Sequence, residues 1–584
     1  MTAGVRQQPR DADQPRPRPG VRLGLVGWLT GLAVLAGVGY RLWLLARAAP
    51  PTNSDEATMG LAALHIARGQ GFPIWFYGQQ YMGTLEAYLA APVFALAGGP
   101  SLLGLRLPTL ALYALFLLLA WRLTLRLTGD RWFGLLVVAL LALGSDRVVK
   151  NQLIAGGGYP EMNAAAAALA LLAVDLASDR PGPDTSVTGR RGWRLARWAT
   201  WGLLAGLMLW VDPLVLPYVA ATGVVLVAFC RRELWGAAGA LLGVAAVLGA
   251  APLLLHSVLT GRNPLHAVLV AGGANVSAGW ADRLHGGLVL GPSLGMGFCA
   301  PGRCATWQLW WALVLPLLLV IAAATAWRAL RRPTASPAAA SPASAGPAPA
   351  SPAPASPAPA GPAAAGLGAV SPRVAAAVRL ALVLAAVATL GAYTVSSAAG
   401  LTPVESSRYL SCLLISLPAL LWPVWTAARH GLRPAATGRH GVGSTLARSV
   451  AVVLLAATLG TAAHATWRAA ATVPATRAAE ARHTELVSTL RQLGVRHVRA
   501  GYWTCNRLTF ASAEHVVCAV VDDTLRPGFD RYPAYRREVD SSAAPAWVAP
   551  AGSALAAVLD ERQRSTPGSL DLITIEGWRI YLPR

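Results

Sequence analysis

Thr52-Asn53-Ser54-Asp55-Glu56-Ala57 stands directly after the first long apolar run of the chain, which starts near Arg22. Acid is scarce here: 27 Asp and Glu stand against 49 Lys and Arg, in a chain that is 55% hydrophobic. A carboxylate pair at a membrane face therefore asks for a reason, and general-base or metal chemistry is the most economical one. Helix capping is the second reading, since Asn53, Ser54 and Asp55 are all good N-cap residues. The two are compatible, because a helix N-terminus also holds a carboxylate in a fixed direction.

A mean hydropathy of +0.47 over 584 residues excludes an ordinary soluble enzyme. Apolar runs of spanning length recur from residue 22 to residue 465, and we count about eleven. They start near Arg22, Ser101, Trp132, Asn163, Trp198, Pro213, Leu234, Thr306, Arg373, Arg408 and Arg448. The net charge of +22 suggests nucleic acid, but its distribution argues otherwise. Arginines cluster in alternate loops, which places those loops, and the N-terminus, on the cytoplasmic side. Anionic membrane lipids are incidental partners of this charge.

The expected organisation has three parts. Residues 1–22, rich in Pro and Arg, form a disordered cytoplasmic extension, and the first span stays as an anchor. Residues 23–465 form a transmembrane domain, interrupted at 333–372 by an Ala/Pro/Ser cytoplasmic linker. Residues 466–584 alternate polar and apolar positions and form a small α/β domain outside the cell membrane. That domain has a helix at 481–493, strands at 497–502 and 515–521, and a hairpin turning at Glu576-Gly577. The fold class is thus mainly α: a polytopic protein of the plasma (inner) membrane with a small C-terminal α/β domain.

Cysteines agree with this sidedness. Cys230 and Cys412 fall in or beside apolar spans and read as packing residues. Cys299 with Cys304, and Cys505 with Cys518, read as two disulfides in an oxidising compartment. Zinc is disfavoured, since neither pair has C-x-x-C spacing or clustered histidines.

The outer segment from Ala48 to Pro100 reads as short helices lying in the membrane interface. Trp75, Phe76, Tyr77 and Tyr81 would sit there at head-group level. A second outer segment runs from Gly261 to Ala305, and its Asn275-Val276-Ser277 fits a glycosylation triplet that also arises by chance.

Further candidates lie downstream. Lys150 is the single lysine, all other basic side chains being Arg, and with Arg147 it suits a phosphate as a point charge. A solvated loop cation is the alternative. Gly156-Gly157-Gly158 permits close backbone approach to a ligand, and Tyr159 and Glu161 follow it. Arg408-Tyr409 opens the tenth span, where an arginine pairs with a carboxylate such as Glu405 or with a lipid phosphate. Nucleotide-activated substrates are made inside the cell, so an outward-facing transferase needs a lipid-linked donor. A carboxylate base and cations for the departing phosphate are the parts that reaction requires.

Asn53-Ser54-Asp55-Glu56-Ala57, Tyr77-Gly78-Gln79-Gln80-Tyr81-Met82-Gly83-Thr84-Leu85-Glu86-Ala87-Tyr88 and Arg106-Leu107-Pro108 together resemble a bacterial branch of the GT-C membrane glycosyltransferases. This is the superfamily of aminoarabinose transferases and protein O-mannosyltransferases. Tyr502-Trp503, Arg507-Leu508-Thr509-Phe510 and Arg531-Tyr532-Pro533 are similar to the outer domain of that branch. The resemblance implies an inverting transferase with a polyprenyl-phosphate sugar donor and an envelope glycan, lipid or protein acceptor. Asp55 would be the catalytic base and Glu56 its assistant. Gln80, Tyr81, Glu86, Arg147, Lys150, Tyr159, Glu161, Arg408 and Tyr409 would line the donor and its phosphate. Some relatives use a divalent metal ion, but beyond His65 the first loop offers no clear ligand set. Two other readings remain at this level: a transporter of lipid-linked sugars, disfavoured by the lack of internal repeats, and a non-catalytic envelope assembly protein.

Overall fold

The computed structural model describes residues 24–178, 188–263, 276–332, 370–430 and 442–584. The expected N-terminal extension, most of the Ala/Pro/Ser linker and Asn275 lie outside them. Among the described residues, eight helices are long and apolar enough to cross a membrane, or up to ten if two bent pairs each count as one span. The chain is a multi-pass membrane protein.

The count differs from eleven for physical reasons. The expected third span is α5 (Arg131–Ala142) followed by α6 (Asp146–Leu153), bent by 89°. The expected seventh is the bent pair Ala237–Gly249 and Ala251–Thr260. The expected fifth is the helix Thr188–Val211, which carries Arg194 and Arg197 and is less apolar than the rest. Arg194 is nonetheless satisfied, with two hydrogen bonds to Glu233 at 2.7 and 2.8 Å. This same helix packs its Gly202 and Gly206 against the backbone of Leu242 and Ala246, the close approach that small residues allow in membranes.

The break between α5 and α6 has a specific anchor. Arg41, fully buried on α1 (Leu25–Leu45), donates to the carbonyls of Ala142 at 2.8 Å and Leu143 at 3.2 Å. These are carbonyls that the end of α5 leaves without helical partners. The Arg41 Nε also donates to Gln152 Oε1 at 2.8 Å, and its guanidinium lies 3.9 Å from the Tyr113 ring centre. One buried side chain thereby fixes the re-entrant α6, which carries Arg147 and Lys150.

At the same end of the bundle stand α2 (Ser54–Ala67) and α3 (Leu85–Ala97). Nearly all of α2 is buried, and Trp75 and Phe76 are covered as well. The C-terminal domain covers Phe76 and much of α2, while Trp75 packs into the core of the helical bundle. Phe510, Val517, Ala519, Tyr535 and Val539 share one apolar core with Met59, Leu61, Ala87, Phe94 and Leu105 of α4 (Leu102–Thr128).

The C-terminal domain is built on a five-stranded sheet of order β2-β1-β3-β5-β4. Its strands are β1 (His497–Ala500), β2 (Val517–Val520), β3 (Ala546–Pro550), β4 (Leu570–Ile575) and β5 (Trp578–Pro583). The pairs β1–β2 and β1–β3 are parallel, with Val498 opposite Cys518 and Ala546, whereas β3–β5 and β4–β5 are antiparallel. The parallel pair needs a crossover, and the helix Tyr502–Ala511 supplies it. The disulfide Cys505–Cys518 ties that helix to β2, and Cys299–Cys304 closes the other expected pair. Cys230 and Cys412 are buried, and Cys230 Sγ donates to the Leu176 carbonyl at 3.5 Å.

Candidate active site

The N-terminus of α2 is set by its own side chains. Asn53 Oδ1 accepts from the Glu56 amide at 2.8 Å, and Asp55 and Glu56 fill the first turn, where the helix dipole favours negative charge. The capping reading of this stretch is thus seen, with Asn53 as the cap. Residues adjacent on a helix point about 100° apart, however, and the two carboxylates have different fates.

Glu56 turns inward. It is fully buried, and Arg106 Nε and Nη2 each donate to one of its oxygens at 2.6 Å. Arg106 Nη1 donates to the Pro50 carbonyl at 2.9 Å. With both oxygens taken, Glu56 presents nothing to a ligand. The assisting role expected for it does not fit this geometry; it pins α2 to α4.

Asp55 turns to a cleft beneath the C-terminal domain, its side chain 22% exposed. Its Oδ1 accepts from the Tyr502 hydroxyl at 2.5 Å and from Arg531 Nη2 at 2.8 Å. Arg531 Nε donates to the same Tyr502 hydroxyl at 2.6 Å, and its guanidinium sits 4.6 Å from the Phe76 ring centre. Oδ2 of Asp55 makes no hydrogen bond among the described residues. Burial, and then the Asp55 carboxylate, push the Tyr502 phenol well above its usual range, so it stays a donor. Ser54 Oγ donates to the Tyr502 carbonyl at 2.7 Å and accepts from Asn506 Nδ2 at 2.9 Å. Tyr502 and Arg531 are the functional candidates that sequence reasoning missed. They lie 447 and 476 residues from Asp55, and no local spacing can signal such a meeting.

Arg408 is the cation within electrostatic reach of Asp55 on the bundle side. Its charge interacts with Tyr159, Tyr409 and Asp55, and its guanidinium carbon is 5.5 Å from the Tyr409 ring centre. No carboxylate, Glu405 included, forms an ion pair with it among the described residues, and its Nε is buried without a partner. Tyr81 completes this group: burial raises its phenol, Tyr409 adds to the shift, and Arg531 and Arg408 oppose it. The structure thus brings together Asp55, Tyr81, Tyr159, Arg408 and Tyr409.

The other expected residues lie elsewhere. Lys150 is bound to Asp146, one turn earlier on α6, at 2.9 Å, and nothing links it to Asp55. The point-charge role expected for it does not match this position. Arg147 donates to the Val404 carbonyl at 2.6 Å, and its charge also reaches Arg408 and Tyr159. Gln80 sits at an exposed rim, where its Oε1 accepts from Arg262 at 2.8 Å.

Glu86 and Glu161 are both buried behind the cleft and face each other. Glu86 accepts from the Gly156 amide, and burial pushes its carboxyl above the usual carboxylate range against that bond. Neither Glu161 oxygen has a hydrogen bond of good geometry, and the Asn163 amide next to it is also unpartnered. Gly156 takes φ +113°, open to glycine, and packs against the Asp55 carbonyl. This pair therefore backs the loop behind Asp55. Asp212 is a helix cap, accepting from the Leu214 amide at 2.8 Å, and burial raises its carboxyl to about 7.

A metal site is not formed by these groups. Among the described residues no cluster of three or more His, Cys, Asp or Glu side chains has a ligand-like arrangement. His65 is occupied by the Tyr77 hydroxyl at 2.7 Å and Glu514 at 2.9 Å. No step below is routed through a metal.

No family model and no curated protein matches the chain in sequence. Solved structures do match it in fold. ArnT from Cupriavidus metallidurans bound to undecaprenyl phosphate aligns with a TM-score of 0.54 and 14% identity, over 96% of this chain and 98% of that one. An apo oligosaccharyltransferase from Archaeoglobus fulgidus aligns at 0.48 and 12% identity, over 90% of this chain and 69% of that one. AglB from the same organism, in complex with an inhibitory peptide and a dolichol-phosphate, aligns at 0.46 and 12%, over 96% and 74%. The fold likeness carried forward is that to ArnT. The chain is accordingly a multi-pass membrane protein of the polytopic GT-C fold, an architecture it has in common with ArnT.

Proposed function

We propose that the protein is an inverting glycosyltransferase that moves a sugar from a polyprenyl-phosphate donor to a hydroxyl acceptor of the cell envelope. Asp55 is the general base. The observation that carries this reading is a carboxylate with one oxygen held and one free, within electrostatic reach of an arginine with no carboxylate partner. Undecaprenyl phosphate, the ligand of the ArnT structure, is the kind of group such an arginine suits.

In this reaction Asp55 Oδ2 takes the acceptor hydroxyl proton as the acceptor oxygen attacks the sugar C1. The bond from C1 to the phosphate oxygen breaks, and polyprenyl phosphate leaves carrying the electron pair. Arg408, with the Tyr81 and Tyr409 hydroxyls beside it, stabilises the charge that gathers on the leaving phosphate. The arginine-rich loops support a site on the side of the membrane away from the cytoplasm.

The test is reconstitution in vesicles with a panel of polyprenyl-phosphate sugars, following release of polyprenyl phosphate. Asp55→Asn should lower turnover by about 10²- to 10⁴-fold, the range of a lost general base, while membrane insertion is unchanged. Full turnover in that variant overturns the assignment.

A further inference from the structure

The end of the bundle that carries α2 has a second feature, which none of the residues around Asp55 lines. Between α1 and the helix Val473–Gln492 runs a groove of about 480 Å³. Its walls are largely apolar, with Trp43, Val473 and Pro474 among them. Two guanidinium groups line the same groove, Arg47 just past the end of α1 and Arg477 in the first turns of the later helix.

Neither arginine has an ion pair among the described residues. Arg47 lies 4.6 Å from the Trp43 ring centre, and the one nearby carboxylate on the later helix, Glu480, is held by Arg507 at 2.9 Å. Along the face of α1 that carries Trp43, Leu25 and Leu32 are exposed, and little of the helix is buried. Two uncompensated cations above an apolar wall, at the level where a span ends, match one class of molecule in charge and in shape. That class is a phosphate bearing hydrocarbon chains.

We propose that the groove holds one anionic diacyl phospholipid. Its phosphate lies between Arg47 and Arg477, where guanidinium forks suit phosphate oxygens, and an acyl chain runs along Trp43 and down α1. A free phosphate ion would leave the apolar wall uncovered, so the occupant is the lipid. Bound there, it joins the first span to the helix that leads into the C-terminal domain.

Native mass spectrometry of the full-length protein, released from bilayers of phosphatidylglycerol and phosphatidylcholine, tests this. The wild type should keep one phosphatidylglycerol under conditions that strip phosphatidylcholine. The double variant R47Q/R477Q should retain about tenfold less, in line with two lost cation–phosphate contacts, and R47K/R477K should retain most of it. Equal retention by wild type and R47Q/R477Q overturns the proposal. So does equal retention of the two lipids, which makes the groove ordinary lipid-facing surface, or saturation by inorganic phosphate alone, which makes it a bare anion site. Should R47Q/R477Q fail to fold, the competition between the two lipids on the wild type decides alone. Polyprenyl-phosphate turnover plays no part in the readout, so the fate of the transferase reading does not affect it.

Discussion

A carboxylate that must take a proton along one direction works best when its other oxygen cannot swing. Tyr502 and Arg531 impose that condition on Asp55. Arg531→Met removes a charge-assisted hydrogen bond worth roughly 1.5–3 kcal/mol. If that bond serves the transition state, turnover drops about ten- to hundredfold with little change in KM. Arg531→Lys should recover part of the loss, and steady-state kinetics on the reconstituted protein checks both. A merely structural Arg531 would lower the amount of folded protein and leave turnover per folded molecule unchanged. Glu56 behaves differently. Arg106→Leu strands its carboxylate in a dry site at a cost of about 3–5 kcal/mol, whereas replacing both partners by apolar residues restores most of it. Thermal unfolding of the single and double variants measures the difference.

At the level of elements, the decisive contact is α2 against the helix Tyr502–Ala511. Gly60 makes it possible, because the Phe510 ring occupies the place a Cβ would need. Gly60→Ala forces the ring aside, at roughly 1–3 kcal/mol for overpacking. The expected result is faster hydrogen exchange in residues 502–511, with the bundle unaffected; unchanged exchange there refutes the role given to Gly60.

Much of this architecture is legible in the sequence. Apolar runs mark most of the spans, alternation marks β1, β2 and the β4–β5 hairpin, and cysteine spacing marks both disulfides. Three things are not. The break at α5–α6 depends on Arg41, a hundred residues earlier. The burial of Phe76 depends on a domain four hundred residues later, so this aromatic looks like a head-group anchor until that domain is placed. The split between Asp55 and Glu56 depends on helix phase and on Arg106, which an acidic doublet by itself does not reveal.

For the molecule as a whole, titration should set limits on stability from both sides. Burial raises Glu514, but its hydrogen bonds from His65 and Tyr535 outweigh this and hold it below the usual carboxylate value. A depressed carboxyl contributes stability that is present above its unfolded value and is lost as pH falls through the folded one. The docking of the C-terminal domain on α2 should therefore loosen in acid. Asp212 works in the opposite sense. Its carboxyl is raised to about 7 by burial, so its share of stability is full below about 4 and disappears as pH rises through neutrality. Melting temperatures from pH 4 to 9 should show a fall between about pH 4 and 7 that levels off above it and that Asp212→Asn flattens; a fall of the same size in that variant removes Asp212 as its cause.

The held oxygen of Asp55 also has a consequence for synthesis. The chain emerges from its N-terminus, and Asp55 is made long before Tyr502 and Arg531 exist. Every partly made or prematurely ended copy therefore carries the base without the pair that orients it. A membrane insertion machine can release such fragments beside a pool of activated lipid without exposing that pool to a working enzyme. In the proposed reaction, competence would arrive only once the C-terminal domain has been made and docked.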